Sequence, residues 1–174
     1  MNTHDLRFEV ARILRDLNVS SSELGYRAQA ILAETLARMG AIIDDVARTG
    51  HPDVTVRIRG RLLRLQVKAT RAHSFTLAAE DLAGIRPRFP QEEGYLAVLD
   101  LAPPLAWSCI NYARLGMLVG RTIPLAMLKS MQDAPFSSEC TDNCLQLLIE
   151  HRDSVEAFTF SLLRKRALSE ERSD

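Results

Sequence analysis

The chain has 174 residues, 47% hydrophobic and 25% charged, which is the balance of one ordinary globular domain spanning 1–174. Lys plus Arg total 22, as do Asp plus Glu, so the net charge is zero and any basic footprint for nucleic acid must be local. Three cysteines are too few for a disulfide scaffold, and no stretch reaches the ~20 apolar residues of a membrane span. We therefore expect a protein of the reducing cytoplasm.

The N-terminal part predicts two helices and a strand. Apolar residues at helical spacing indicate an amphipathic helix over 5–17. Serines at 20–22 offer an N-cap for a second helix, roughly 23–39, which ends at Gly40. A short strand is expected over 41–46, followed by a turn over 49–52.

Residues 53–68 predict a β-hairpin, because apolar and polar residues alternate on both sides of a glycine. Gly60-Arg61 is expected to form its two-residue loop, with the glycine first, as in a type II′ turn. One face of the hairpin is apolar throughout and is expected to face the core. Its members are Val54, Val56, Ile58, Leu63, Leu65 and Val67.

The other face of the hairpin is polar, and the expected loop sets its pairing. Arg57 is expected opposite Arg64, and Asp53 opposite Lys68, with Gln66 on the same face. Two facing arginines cost a few tenths of a kcal/mol, up to ~1, unless an anion lies nearby. The hairpin thus gathers an acid, an amide and a lysine on one side.

Helices and strands continue after the hairpin without an obvious linker. The expected segments are a strand end and short helix over 75–84, a loop over 86–90, strands over 95–101 and 107–112, helical pieces around 113–119 and 124–132, a polar loop over 137–143 and a last helix over 152–167. Residues 144–149 are ambiguous between strand and helix. This order predicts an α/β fold with a mixed sheet.

Pro52-Asp53 begins one strand and Gln66-Val67-Lys68 lies on the next, so an acid, an amide and a lysine share one face, a set of groups that could serve a divalent-metal nuclease. Such enzymes need oxygen ligands for Mg²⁺ and benefit from a lysine beside the attacking water. At these residues the chain resembles the PD-(D/E)XK nuclease superfamily, with Pro52-Asp53 as the PD element. Gln66-Val67-Lys68 is similar to the (D/E)XK element in its Q-x-K form, as in Mrr-like and resolvase-like branches.

This resemblance implies a restriction endonuclease-like mixed sheet with a central antiparallel hairpin flanked by helices, and a core over roughly 24–132. It implies that Asp53 and Gln66 hold Mg²⁺ or Mn²⁺ and that Lys68 orients the hydrolytic water. The family usually adds a Glu on the preceding helix. The customary spacing falls at Gln29, and Glu34 is the nearest acid that could act as a third ligand or as a base.

Basic residues concentrate around the hairpin. Six lie between positions 54 and 79, an interval without an acid: Arg57, Arg59, Arg61, Arg64, Lys68 and Arg71. We expect Arg57, Arg64 and Arg71 to contribute to DNA binding. The alternative is that the arginines only keep an exposed hairpin soluble.

Three functions stay open at this level. The leading one is a metal-dependent nuclease acting on DNA phosphodiester bonds, and a homodimer is a further expectation from the resolvase-like branch. The second is a catalytically silent nuclease-like domain that binds nucleic acid or a protein partner. The third is a purely structural interaction protein, in which Asp53 is a turn residue and Lys68 a surface charge.

Overall fold

The computed structural model describes residues 3–46 and 52–171, and within them the side chains of 5–44 and 52–164. Most of the turn expected over 49–52 lies outside the described residues. The helices are α1 Thr3–Arg15, α2 Ser21–Arg38, α3 Ala79–Ile85, α4 Leu125–Met131, α5 Ala134–Glu150 and α6 Val155–Glu171. Short 3₁₀ turns occupy Tyr112–Arg114, Gly116–Leu118 and Arg152–Ser154. None of the described helices is long and apolar enough to cross a membrane.

The described strands form two sheets. Their bounds are β1 Ile42–Val46, β2 Val54–Ile58, β3 Arg61–Thr70, β4 Ser74–Thr76, β5 Glu92–Asp100, β6 Ala106–Asn111 and β7 Thr122–Pro124. The larger sheet has five strands in the order β1-β2-β3-β5-β6, and β3 and β5 are its one parallel pair. β4 pairs with β7 in a separate two-stranded sheet. The expected α/β fold with a mixed, helix-flanked sheet is confirmed.

The large sheet lies between two hydrophobic cores. The core on one side combines the apolar face of the β2–β3 hairpin with residues from α1, α2, α5 and α6. The core on the other side is smaller and includes residues of α3 and α4. β5 contributes to both cores, so it is buried on both faces as a central strand should be. The polar face of the hairpin therefore points toward the side of α3.

The hairpin register differs from the expected one by two residues. Arg59 and Gly60 form the loop, with φ values of 51° and 77°, so that Ile58 pairs with Arg61 and Arg57 with Leu62. Two successive residues with positive φ give the type I′ turn, whose twist matches that of the flanking strands. A shift of two residues returns every side chain to the same face, so the predicted apolar face is confirmed while the predicted cross-strand partners are wrong.

The segment 137–143, expected as a polar loop, is instead part of α5. β6 is an edge strand, and its outward backbone N–H groups need acceptors. The hydroxyl of Ser137 accepts from the backbone N–H of Cys109, and that of Thr141 from Trp107, each over 2.9 Å. Two polar residues of this segment, Ser137 and Thr141, thus cover a sheet edge, which the local pattern does not indicate.

Candidate metal and phosphate site on the polar face of the hairpin

Asp53 and Gln66 lie together at the point where the β2–β3 pairing ends. The Gln66 Nε2 amide donates to Asp53 Oδ2 over 2.6 Å, and the backbone N–H of Val67 donates to the same oxygen over 2.8 Å. The last paired residues before this point are Val54 and Leu65, so the Asp53 carboxylate provides an acceptor where the strand ladder has ended. Asp53 is thus opposite Gln66, and the expected pairing with Lys68 is wrong.

Lys68 is on the same face, two residues further along β3, or about 7 Å at the usual strand rise. Its Nζ donates to Asp81 Oδ1 on α3 over 2.8 Å, and the two side chains are 31% and 13% exposed. The other carboxylate oxygen of Asp81 accepts the backbone N–H of Ala78 over 3.0 Å at the start of α3. Asp81 therefore fixes the position of the lysine ammonium.

Sequence reasoning did not identify Asp81. An acid in the first turn of a helix is ordinarily a capping residue, and Asp81 does fill that role. Its second role depends on how α3 packs against β3, which no local pattern reveals. The resulting polar strip contains two carboxylates, one amide and one ammonium, from Asp53, Asp81, Gln66 and Lys68.

Glu34 occupies a different layer of the molecule. It is half-buried on α2, the helix that packs against the apolar face of the hairpin. Its charge acts on Arg38: the hydrogen bond to Glu150 is the main cause that raises the pKa of Arg38, and Glu34 contributes further. Gln29, at the customary family spacing, is buried, and its Oε1 has no hydrogen-bond partner among the described residues. A ligand role for Glu34 stays a prediction.

The three arginines expected to contact DNA each have a partner within the chain. Arg57 Nε donates to Asp44 on β1 over 2.6 Å, and an Arg64 guanidinium nitrogen lies 3.3 Å from Glu92 on β5. Arg71 donates to three backbone carbonyls at the end of α1 and beyond: Arg15, Leu17 and Val19. Arg57 and Arg64 do not face each other, so the predicted repulsion between them is wrong.

The remaining basic residues of this interval are paired too. Arg59 contacts Glu139 on α5, and Arg61 contacts Glu93 on β5. The acidic partners all come from outside the interval 54–79, from β1, α3, β5 and α5. The positive charge that is concentrated in the sequence is therefore largely balanced in space.

The side chains of Asp53 and Gln66 offer oxygen donors of the kind that a hard divalent cation prefers, but these donors carry little negative charge. Asp53 offers a carboxylate, and Gln66 offers a carbonyl once its amide turns away from the present hydrogen bond. Mg²⁺ binds through one or two carboxylates, substrate phosphates and water. Within the described part of the chain, no group of three or more His, Cys, Asp or Glu residues has a metal-binding arrangement. Asp53 and Gln66 therefore fit a weak metal site that a phosphate would complete.

Gln66→Glu is expected to tighten Mn²⁺ binding about tenfold, because it replaces a neutral carbonyl by a second carboxylate next to Asp53. Isothermal titration of Mn²⁺ into both forms measures the change. Gln146→Glu adds the same charge at an exposed position of α5 and should leave the affinity unchanged. Equal affinity of the native protein and Gln66→Glu would show that Gln66 is not a ligand.

Two comparisons with known proteins give no family for this chain. No protein-family model matches it. No curated protein matches it either.

Proposed function

We propose that this domain is a restriction endonuclease-like, metal-dependent nuclease that hydrolyses DNA phosphodiester bonds. The observation that carries the proposal is the 2.6 Å contact between Asp53 and Gln66, with Lys68 on the same face of a central antiparallel hairpin. The mixed sheet flanked by helices on both sides supports it further. The proposal includes the cytoplasm as compartment and a homodimer as assembly.

In this proposal each side chain of the strip has a distinct task. Asp53 and the carbonyl of Gln66 would hold Mg²⁺ or Mn²⁺, which would supply Lewis-acid activation. The Lys68 ammonium would orient the attacking water and stabilise the negative charge that develops on the phosphate oxygens. Asp81 holds Lys68 in place through the 2.8 Å ion pair and is thus a positioning residue.

A catalytically silent domain that binds nucleic acid or a protein partner is the second candidate. The observation that favours it is the pairing of the hairpin arginines with acids of other elements, which reduces the positive charge available to a DNA backbone. Asp53 is the one carboxylate in the proposed ligand set, which also favours a silent domain.

Nicking of supercoiled plasmid separates the two candidates. The native protein is expected to nick in Mg²⁺ or Mn²⁺ and not in EDTA, and Asp53→Asn is expected to reduce the rate at least ~100-fold. Asparagine is preferred to alanine because its amide oxygen keeps an acceptor for the Val67 N–H. Asp142→Asn, at an exposed acid on α5, is the matched control. Nicking that survives in Asp53→Asn would contradict the proposal.

A further inference from the structure

The loop between α3 and β5, residues 86–91, carries two arginines whose surroundings differ from those of the hairpin arginines. Arg86 and Arg88 are both exposed. The ion pairs of the described residues include neither of them, whereas the hairpin arginines are all partnered. An exposed cation without an acidic partner can exchange its counterions for phosphate at no loss of an internal contact. This loop is thus better suited to hold a polyanion than the hairpin.

An exposed aromatic residue follows these cations in the same loop. Phe89 comes directly after Arg88 in the sequence and is 64% exposed. It lines a groove of about 400 Å³ together with the tip of the hairpin. The other lining residues are Arg57, Gly60, Arg61, Leu62, Gln91 and Glu92.

The loop is fixed in this exposed arrangement. Glu92 Oε2 accepts the backbone N–H of Arg88 over 2.7 Å, and the backbone N–H of Glu92 donates to the Phe89 carbonyl over 3.0 Å. The Gln91 carbonyl accepts from Leu62 on β3 over 3.1 Å, which ties the loop to the hairpin. Proline on either side of Arg88-Phe89 restricts the backbone further. The backbone that carries Phe89 is therefore held in place.

The groove and the polar strip share one face of β3. Leu62 lines the groove, and Gln66 lies four residues further along the same strand, which corresponds to ~13 Å at the usual rise. Side chains at even spacing along a strand point to the same side. A chain molecule that crosses the groove can thus reach the Asp53–Gln66 pair.

We propose that this groove binds single-stranded nucleic acid, with a base stacked on Phe89 and the flanking phosphates at Arg86 and Arg88. An exposed aromatic ring, in the same loop as two exposed arginines that form no ion pair among the described residues, matches a ligand that alternates flat apolar bases with negative phosphates. In a duplex the base faces are covered by their neighbours, so the ring selects a strand whose bases are free to stack. The inference rests on the proposed function for what happens to the strand afterwards, but the binding itself needs no metal.

Fluorescence anisotropy in EDTA, with a labelled single strand and the corresponding duplex over a series of salt concentrations, tests the proposal. The native protein is expected to bind the single strand more tightly than the duplex. Phe89→Ala should weaken single-strand binding about tenfold at an unchanged salt slope, since a stacked base contributes ~1–3 kcal/mol. Phe89→Trp should retain the affinity. Arg86→Ala and Arg88→Ala should each reduce the log–log salt slope by ~0.7.

Two substitutions away from the groove serve as controls. Tyr26→Ala removes an exposed aromatic ring on α2, and Arg121→Ala removes an exposed arginine outside the loop. Neither should change affinity or salt slope. The proposal is overturned if no single strand binds at low salt, if the duplex binds as tightly, or if Phe89→Ala binds like the native protein.

The outcome for the groove is independent of the outcome for the nuclease. Single-strand binding that persists in Asp53→Asn, without any metal-dependent nicking, would support the groove and refute the nuclease. Metal-dependent nicking, together with unchanged single-strand binding in Phe89→Ala, would support the nuclease and refute the groove.

Discussion

Gly94→Ala is expected to destabilise the protein by about 3 kcal/mol or more, because it forces a side chain into occupied space. A Cβ at position 94 of β5 would lie 1.9 Å from the carbonyl oxygen of Ile85 and 3.1 Å from the Cβ of Tyr112. The Ile85 oxygen belongs to the backbone at the end of α3, so it cannot turn away as a flexible side chain could. α3 must then move off the sheet. Chemical denaturation in urea measures the loss.

The matched control for Gly94→Ala is a glycine substitution that is expected to increase the stability of the protein. Gly25 lies inside α2, and a Cβ added there would meet no atom within 4 Å. Gly25→Ala should therefore stabilise the protein by about 0.5–1 kcal/mol through better helix propensity. A Gly94→Ala variant that is as stable as the native protein would show that α3 does not pack this closely on β5.

The displacement of α3 that is expected in Gly94→Ala would also change the candidate site. α3 carries Asp81, whose carboxylate holds the Lys68 ammonium, and it leads directly into the loop with Phe89. Gly94 thus allows α3 to pack closely on β5, and α3 carries the acid that pairs with Lys68.

Alternation along the strands was sufficient to predict the faces of the hairpin but not its register. Shifting the pairing by two residues leaves the same side chains in the core, so hydrophobic pattern alone does not distinguish the two registers. The choice depends on the turn, where Arg59 adopts a positive φ of 51° that a glycine would be expected to take. The correct register brings Asp53 next to Gln66 rather than Lys68.

The charge balance of the site was not predictable from the local sequence. The acids that pair with the hairpin arginines are 13 to 80 residues away along the chain, from Asp44 to Glu139. Local composition therefore indicated a basic surface where the fold builds a set of ion pairs. Arg86 and Arg88 form no ion pair among the described residues, but Glu92 and Glu93 follow them closely in the sequence, so the local composition does not indicate a basic surface at this loop.

Glu92→Gln is expected to destabilise the protein at neutral pH by about 2–3 kcal/mol, because it removes the acidic partner of a largely buried cation. The Glu92 side chain is 5% exposed and the Arg64 side chain 15%, with 3.3 Å between their polar atoms. Arg64 Nε already has no hydrogen-bond partner among the described residues. After the substitution the guanidinium keeps its charge in a poorly hydrated place without an opposite charge.

This difference in stability should depend on pH in a defined direction. The backbone N–H of Arg88 is the main cause that lowers the pKa of Glu92, and Arg64 lowers it further against the opposing effect of burial. A carboxyl group whose pKa is lower in the folded state than in the unfolded state stabilises the fold fully above the unfolded value. That contribution disappears as the pH falls through the lowered pKa of the folded state. The difference between Glu92→Gln and native protein should therefore be largest near pH 7 and shrink below about pH 4.5.

Urea denaturation at several pH values between 7 and 3 measures this dependence. Glu80→Gln removes an exposed carboxylate from the first turn of α3 and should leave stability nearly unchanged at every pH. A non-zero difference from the native protein that stays constant down to pH 3 would mean that the charge of Glu92 contributes nothing, because the protonated acid would then stabilise the fold as much as the carboxylate does.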